Sequence, residues 1–77
     1  MQLNIITPDT TIYSGEVSLV QLPGIDGLFE ILPKHAFLIA ALGKGKIKVE
    51  IDGKNEFFEI NGGVIEVLND KISVLAE

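Results

Sequence analysis

The sequence predicts an all-β protein, a sandwich or barrel of about nine short strands, on three observations. Apolar and polar side chains alternate with period two over several runs. Turn-forming pairs of Gly, Pro, Asn and Asp punctuate the chain at intervals of roughly 8 to 10 residues. No segment carries the charged 3.6-residue periodicity of an amphipathic helix.

Leu3 to Thr7 alternates weakly and ends at Pro8-Asp9, where proline presets φ and removes a ladder donor. A short run from Thr10 to Tyr13 stops at Ser14-Gly15. Glu16 to Leu22 is rich in strand formers and is expected to break at Pro23-Gly24, followed by a short strand from Leu28 to Leu32 that Pro33 closes. Ala36 to Leu42 is continuously apolar, a length that suits a strand buried on both faces better than a helix. Ile47, Val49 and Ile51 then point one way while Lys46, Lys48 and Glu50 point the other.

Asp52-Gly53 supplies the positive φ of a tight hairpin, and Lys54 to Asn61 returns antiparallel. With the loop at Asp52-Gly53 or at Gly53-Lys54, parity places Ile47 and Val49 on one face with Phe58 and Ile60, leaving Phe57 on the other with Glu59. After Asn61-Gly62-Gly63, Val64 to Leu68 pairs with Lys71 to Ala76 across Asn69-Asp70, so that Ile65 and Val67 meet Ile72 and Val74. The reverse face of this hairpin still carries Val64, Leu68 and Leu75. One face is core and the other is covered by something. No repeat, linker or low-complexity tract divides the chain, which reads as one domain spanning residues 1–77.

The 77 residues bury only roughly 60% of the surface of the unfolded chain, so stability alone is marginal. With no cysteine and one histidine, disulfide and metal staples are unavailable. Docking on a protein partner is the remaining route, and a 47% apolar content is more than so small a core hides. Six lysines, no arginine and eleven acidic residues give a net charge of −5, which disfavours nucleic acid. No apolar run reaches the roughly 20 residues that span a bilayer, and Met1 to Thr7 has no basic leader, so a soluble, cytosolic chain without membrane insertion is expected.

Catalytic chemistry is poorly supplied. His35 is the only imidazole available to Ser14, Ser18 or Ser73, and no nucleophile-elbow motif surrounds any of them. The carboxylates are scattered along outward strand positions, without metal-ligand spacing. Gly43-Lys44-Gly45-Lys46 lacks the upstream glycine and the following Ser or Thr of a phosphate loop and reads as a surface turn. A carbohydrate-binding sandwich is disfavoured because the chain has no Trp and one Tyr to offer as stacking platforms. No catalytic residue, metal or cofactor is expected. A protein-interaction role remains, either in a larger assembly or as a stand-alone β-sandwich adaptor.

The segment from Leu22 to Leu38 is the most distinctive: Leu-Pro-Gly, two residues, Gly27, a short strand, then Leu32-Pro33, one residue and His35-Ala36. Here the chain resembles the N-terminal domain of the epsilon subunits of F-type ATP synthases. The resemblance extends through Thr7-Pro8-Asp9, Tyr13-Ser14-Gly15-Glu16-Val17, Gly45, Asn61-Gly62-Gly63 with Val64 to Val67, and Val74 to Glu77. It implies an antiparallel β-sandwich of ten strands in two packed sheets. It further implies a non-catalytic rotor subunit of the central stalk, peripheral on the cytoplasmic side of the bacterial inner membrane. Such a subunit couples the gamma subunit to the polar loops of the membrane c-ring.

By the same resemblance, Gly24, Ile25, Asp26, Gly27 and Leu28 face the ring with His35 close by, and Phe57, Thr7 and Ile39 face gamma. Some relatives place an acidic residue where Leu28 stands, so an electrostatic ring contact is weakened here. In the bland reading of the same residues, the glycines serve their turn, His35 satisfies backbone groups and Ile39 is core. Most relatives continue into two α-helices that restrain hydrolysis and in some bind ATP; this sequence carries no such segment before its end at Glu77. The isolated chain is therefore expected to bind no nucleotide. Titration calorimetry with ATP should give no binding heat, and a micromolar dissociation constant would contradict this reading.

Overall fold

Alternating side chains and positive-φ turns build nine strands and no helix. A computed structural model describes all 77 residues. The strands are β1 (Gln2–Ile6), β2 (Thr11–Glu16), β3 (Leu19–Gly24), β4 (Gly27–Ile31), β5 (Leu38–Leu42), β6 (Gly45–Ile51), β7 (Lys54–Ile60), β8 (Gly63–Leu68) and β9 (Lys71–Ala76). Two of the hairpins are two-residue turns with both central residues at positive φ, Asp52-Gly53 (51° and 77°) and Asn69-Asp70 (51° and 60°). This is the turn whose twist matches that of paired strands, and Asn and Asp tolerate it best after glycine.

The strands form two ladders, β2-β1-β9-β8-β5 and β4-β3-β6-β7, joined where Gly24 of β3 pairs with Leu42 of β5. Along one edge of β3, Leu19 to Gln21 bond β6 and Gly24 meets β5. The two ladders bend around one cluster of fifteen buried apolar residues, with Leu3, Ile5, Ile65, Val67, Ile72 and Val74 from the first and Val20, Leu22, Ile31, Ile47 and Val49 from the second, among others. No polar side chain is buried. A core of this kind leaves no polar group unpaired, at the expense of any internal hydrogen-bond constraint.

Several sequence expectations meet corrections. The count is nine rather than ten: residues 32–37 stay out of the ladders because Pro33 has no N–H and Lys34 turns to φ 64°. The sandwich is not wholly antiparallel, since β1 pairs with β9 in parallel. These strands are the two ends of the chain, so the whole remaining sequence serves as the long connection that parallel neighbours need.

Ser14-Gly15 is no break, as β2 continues to Glu16 against Gln2. The break falls at Val17-Ser18, where Val17 N–H donates to Met1 O (2.8 Å) and Ser18 N–H to Glu50 O (2.9 Å), carrying the chain from one ladder to the other. Nor does Pro23 end β3. Its carbonyl accepts from Gly43 N–H (2.8 Å), and its missing donor faces the bend where β5 gives way to β6 along that edge. Finally, Ala36 to Leu42 is not buried on both faces. Ala36 and Phe37 are exposed, while Leu38, Ala40 and Leu42 turn inward and Ile39 and Ala41 face out.

The β6–β7 and β8–β9 registers agree with parity. Ile47 opposes Phe58 and Gly45 opposes Ile60 on the inner side, while Phe57 opposes Lys48 on the outer side at 58% exposure. Ile65 opposes Val74 and Val67 opposes Ile72. Phe58 also stacks at a tilt on Tyr13 of β2, ring centroids 5.4 Å apart, bringing the outer strands of the two ladders together.

Gly63 is the position where glycine is required. Its φ is 148°, and a Cβ there would collide with the Leu75 carbonyl oxygen of the neighbouring strand.

Phe58→Ala is expected to lower the stability of the free chain by about 2 to 4 kcal/mol, because a partly buried ring and its aromatic contact are lost. Phe57→Ala should stay within about 0.5 kcal/mol, as an exposed strand position. Thermal melts of the two variants compare them directly. A destabilised Phe57→Ala beside an unaffected Phe58→Ala would show that the outer and inner faces of β7 are reversed.

Candidate functional site

The Gly24–Leu28 segment is the tip of the β3–β4 hairpin. Gly24 pairs with Gly27, leaving Ile25 and Asp26 as the two-residue loop, and Pro23 pairs with Leu28. Gly24 has a structural reason of its own: a Cβ would lie 2.8 Å from both the Gly27 carbonyl oxygen and the Phe29 ring. The tip leans on β5, with Ile25 N–H donating to Ala41 O (3.3 Å), and encloses a shallow hollow with Phe29, Ala40 and Ala41. Ile25 and Leu28 are each 67% exposed, and Asp26 is exposed and makes no ion pair. The tip thus presents two aliphatic side chains and one free carboxylate.

His35 lies in the connection before β5. Its Nδ1 is 2.7 Å from Ala36 O, a local bond that accounts for the imidazole without a ligand. The connection is held to the β8–β9 turn by Lys34 N–H donating to Asp70 Oδ1 (2.6 Å). Lys34, His35, Phe37, Leu68 and Asp70 line a second hollow there, separate from the one under the hairpin tip. The structure therefore places His35 before the start of β5 and the glycine loop beside its C-terminal half, Ala40 to Leu42, two separate features rather than one pocket.

Phe57, Thr7 and Ile39 do not share a surface. Phe57 projects from the outer side of β7, among Lys48 and Glu59. Ile39 projects from the outer side of β5, opposite Glu66 and 58% exposed, so it is not core. Thr7 is half-buried and fastens a turn: its Oγ1 donates to Thr10 O (3.2 Å) and accepts from the N–H groups of Asp9 (3.3 Å) and Thr10 (3.1 Å). Thr7 follows Ile6 at the end of β1, on the same ladder as Ile39.

The remaining candidates read as structure. Gly45 closes the β5–β6 bend against Pro23, whose Cβ would be 2.8 Å from an added Cβ, so the glycine-lysine motif is a packed turn. No three His, Asp or Glu side chains converge on a point that would hold a metal ion. Sequence reasoning did not identify Ile6 as an outward apolar residue beside Leu75. The signal was absent, because that neighbour relation depends on the parallel β1–β9 pairing between the chain ends.

Comparison with known proteins supplies the wider frame. Residues 1–77 match the family model described as ATP synthase, Delta/Epsilon chain, beta-sandwich domain. The ATP synthase epsilon chain of Chlorobium limicola is 46% identical over 77 residues, covering 99% of this chain and 88% of the relative. That of Lawsonia intracellularis is 47% identical over 77 residues but extends further, so that this chain spans 58% of its length. Among solved structures, a chain of the Euglena gracilis mitochondrial ATP synthase, resolved as OSCP/F1/c-ring, superposes with a TM-score of 0.89 at 22% identity over 96% of this chain and 48% of that one. A chain of the Tetrahymena thermophila mitochondrial ATP synthase central stalk and c-ring superposes with a TM-score of 0.75 at 18% identity, covering 96% and 62%. These two likenesses concern the fold. With the whole chain matched, and a relative of near-equal length almost half identical to it, the protein belongs to the family of ATP synthase delta/epsilon chain β-sandwich domains.

Proposed function

We propose that the chain is a non-catalytic rotor subunit of an F-type ATP synthase, coupling the gamma shaft to the membrane c-ring during ion-driven ATP synthesis. The observation that carries this reading is the match of all 77 residues to the family together with the near-equal length of the Chlorobium relative. The physical character of the molecule agrees with it. A small apolar-cored sandwich offers outward apolar residues and two projecting loops for docking. In this reading the chain attaches to the membrane-bound complex through protein contacts, on its cytoplasmic side; no helix of the structure is long and apolar enough to cross a membrane.

In this reading the β3–β4 tip (Gly24, Ile25, Asp26, Gly27, Leu28) and the nearby His35 connection face the polar loops of the ring. The exposed Ile25 and Leu28 give that contact an aliphatic component, and Asp26 is free to pair with a basic ring residue. Ile39 and Thr7 belong to the gamma-facing side of the first ladder, while Phe57 offers an alternative on the opposite outer face. The subunit transmits torque between the ring and the shaft and takes no part in nucleotide chemistry.

Reconstitution of the synthase with and without the chain tests this reading. Without it, ATP synthesis driven by an ion gradient should fall to background while ATP hydrolysis by the catalytic head continues. Unchanged synthesis in its absence would remove the coupling role and leave the stand-alone adaptor.

A further inference from the structure

Asp70 stands where its own turn prefers glycine. In a two-residue hairpin turn with both central residues at positive φ, glycine in second place is the least costly choice, and Asp52-Gly53 follows that rule with Gly53 at 77°. Asn69-Asp70 does not, since Asp70 holds φ 60° with a side chain present. A second non-glycine residue, Lys34, holds φ 64° in the connection before β5. One hydrogen bond joins these two costly positions across 36 residues of sequence, Lys34 N–H donating to Asp70 Oδ1 at 2.6 Å. Unfavourable backbone conformations persist where the surroundings over-determine them, and here each is held by the other.

No backbone hydrogen bond ties residues 32–37 to a strand, so the Asp70 carboxylate is their one hydrogen-bonded tie to the rest of the fold. Asp70 itself is fixed. Its carbonyl accepts from Gln2 N–H (3.0 Å), at the end of the ladder where β9 runs between β1 and β8. The Lys34 ammonium makes no ion pair with Asp70, so the carboxylate recognises the backbone and not the charge. A charged acceptor makes the stronger kind of bond to an N–H, which a glycine at this place would lack.

We propose that Asp70 is a positioning residue for the ring contact: from the β8–β9 turn it orders the connection that carries His35, so that the ring meets this segment already in place. The proposal rests on the rotor reading above, in which that connection faces the ring. Asp70 touches neither the ring nor the hairpin tip in this account and acts only through Lys34.

Two variants separate the hydrogen bond from the turn. Asp70→Gly relaxes the turn and removes the acceptor, while Asp70→Asn keeps an acceptor oxygen and tolerates the same φ. The melting temperature of Asp70→Gly should move by less than about 5 °C, since relief of the turn offsets one exposed hydrogen bond. Exchange of the Lys34 amide hydrogen should nevertheless quicken by about fivefold. In synthase complexes depleted of the chain, the concentration that half-restores ion-driven ATP synthesis should rise by about fivefold, because the ring must then order the connection itself. Affinity for the soluble catalytic head with gamma and without the ring should not change, and Asp70→Asn should match the wild-type chain in every measurement. An unchanged Lys34 exchange rate in Asp70→Gly would show that the bond does not hold the connection and would overturn the proposal. So would faster exchange with an unchanged half-restoring concentration, equal weakening with and without the ring, or an Asp70→Asn that behaves as Asp70→Gly; each leaves the rotor reading intact. Failure of the wild-type chain to restore synthesis would instead remove the rotor reading and the proposal with it.

Discussion

Strand β3 is the hinge on which the molecule depends, because one edge of it serves both ladders. Leu19 to Gln21 bond β6, and three residues later Gly24 meets Leu42 of β5. This single join lets a nine-stranded sheet bend around one apolar core rather than run on as an open sheet. Pro23 lies at the change of partner, where a missing N–H has no acceptor to disappoint, and the Gly43 amide satisfies the proline carbonyl from the bend between β5 and β6. The hairpin tip proposed to face the ring is the direct continuation of this crossing strand.

The second constraint is the shortage of interior. Fifteen residues make the core, while Ile6, Ile25, Leu28, Leu32, Phe37, Ile39, Phe57, Val64, Leu68 and Leu75 remain exposed. A chain this small has too little volume to enclose its apolar side chains, and each one left outside retains the free energy of burial for a partner, about 1.5 to 3 kcal/mol for a large side chain fully buried. Marginal stability alone and affinity for an assembly are thus two aspects of one composition. The outward Ile39, Val64 and Leu75 of the first ladder and the aliphatic tip of the β3–β4 hairpin sit at different places on the molecule, which suits a subunit held between two partners.

Most strands were legible in the sequence because a period of two leaves a signal independent of neighbours: Ile47, Val49, Phe58 and Ile60 share their face in the structure as parity requires. The turns at Asp52-Gly53 and Asn69-Asp70 were legible for a similar reason, since positive φ restricts the residue types that can occupy them. The candidate site was legible only as residue types. Phe57 was correctly placed on an outer face, but its separation from Ile39 and Thr7 depends on ladder order, which parity does not contain.

By itself the sequence determined the strand class, the inward and outward parity of the two C-terminal hairpins, the poverty in catalytic groups and the excess of apolar side chains. Only the tertiary structure decided that β1 and β9 pair in parallel, that Ala36 to Leu42 turns one face outward, and that Ile6, Leu75, Val64 and Ala41 fall into one line. The physical reason is that local signals act over a few residues through backbone geometry. The line joins residues more than sixty positions apart, and their alignment is set by hydrogen-bond register between the two ends of the chain.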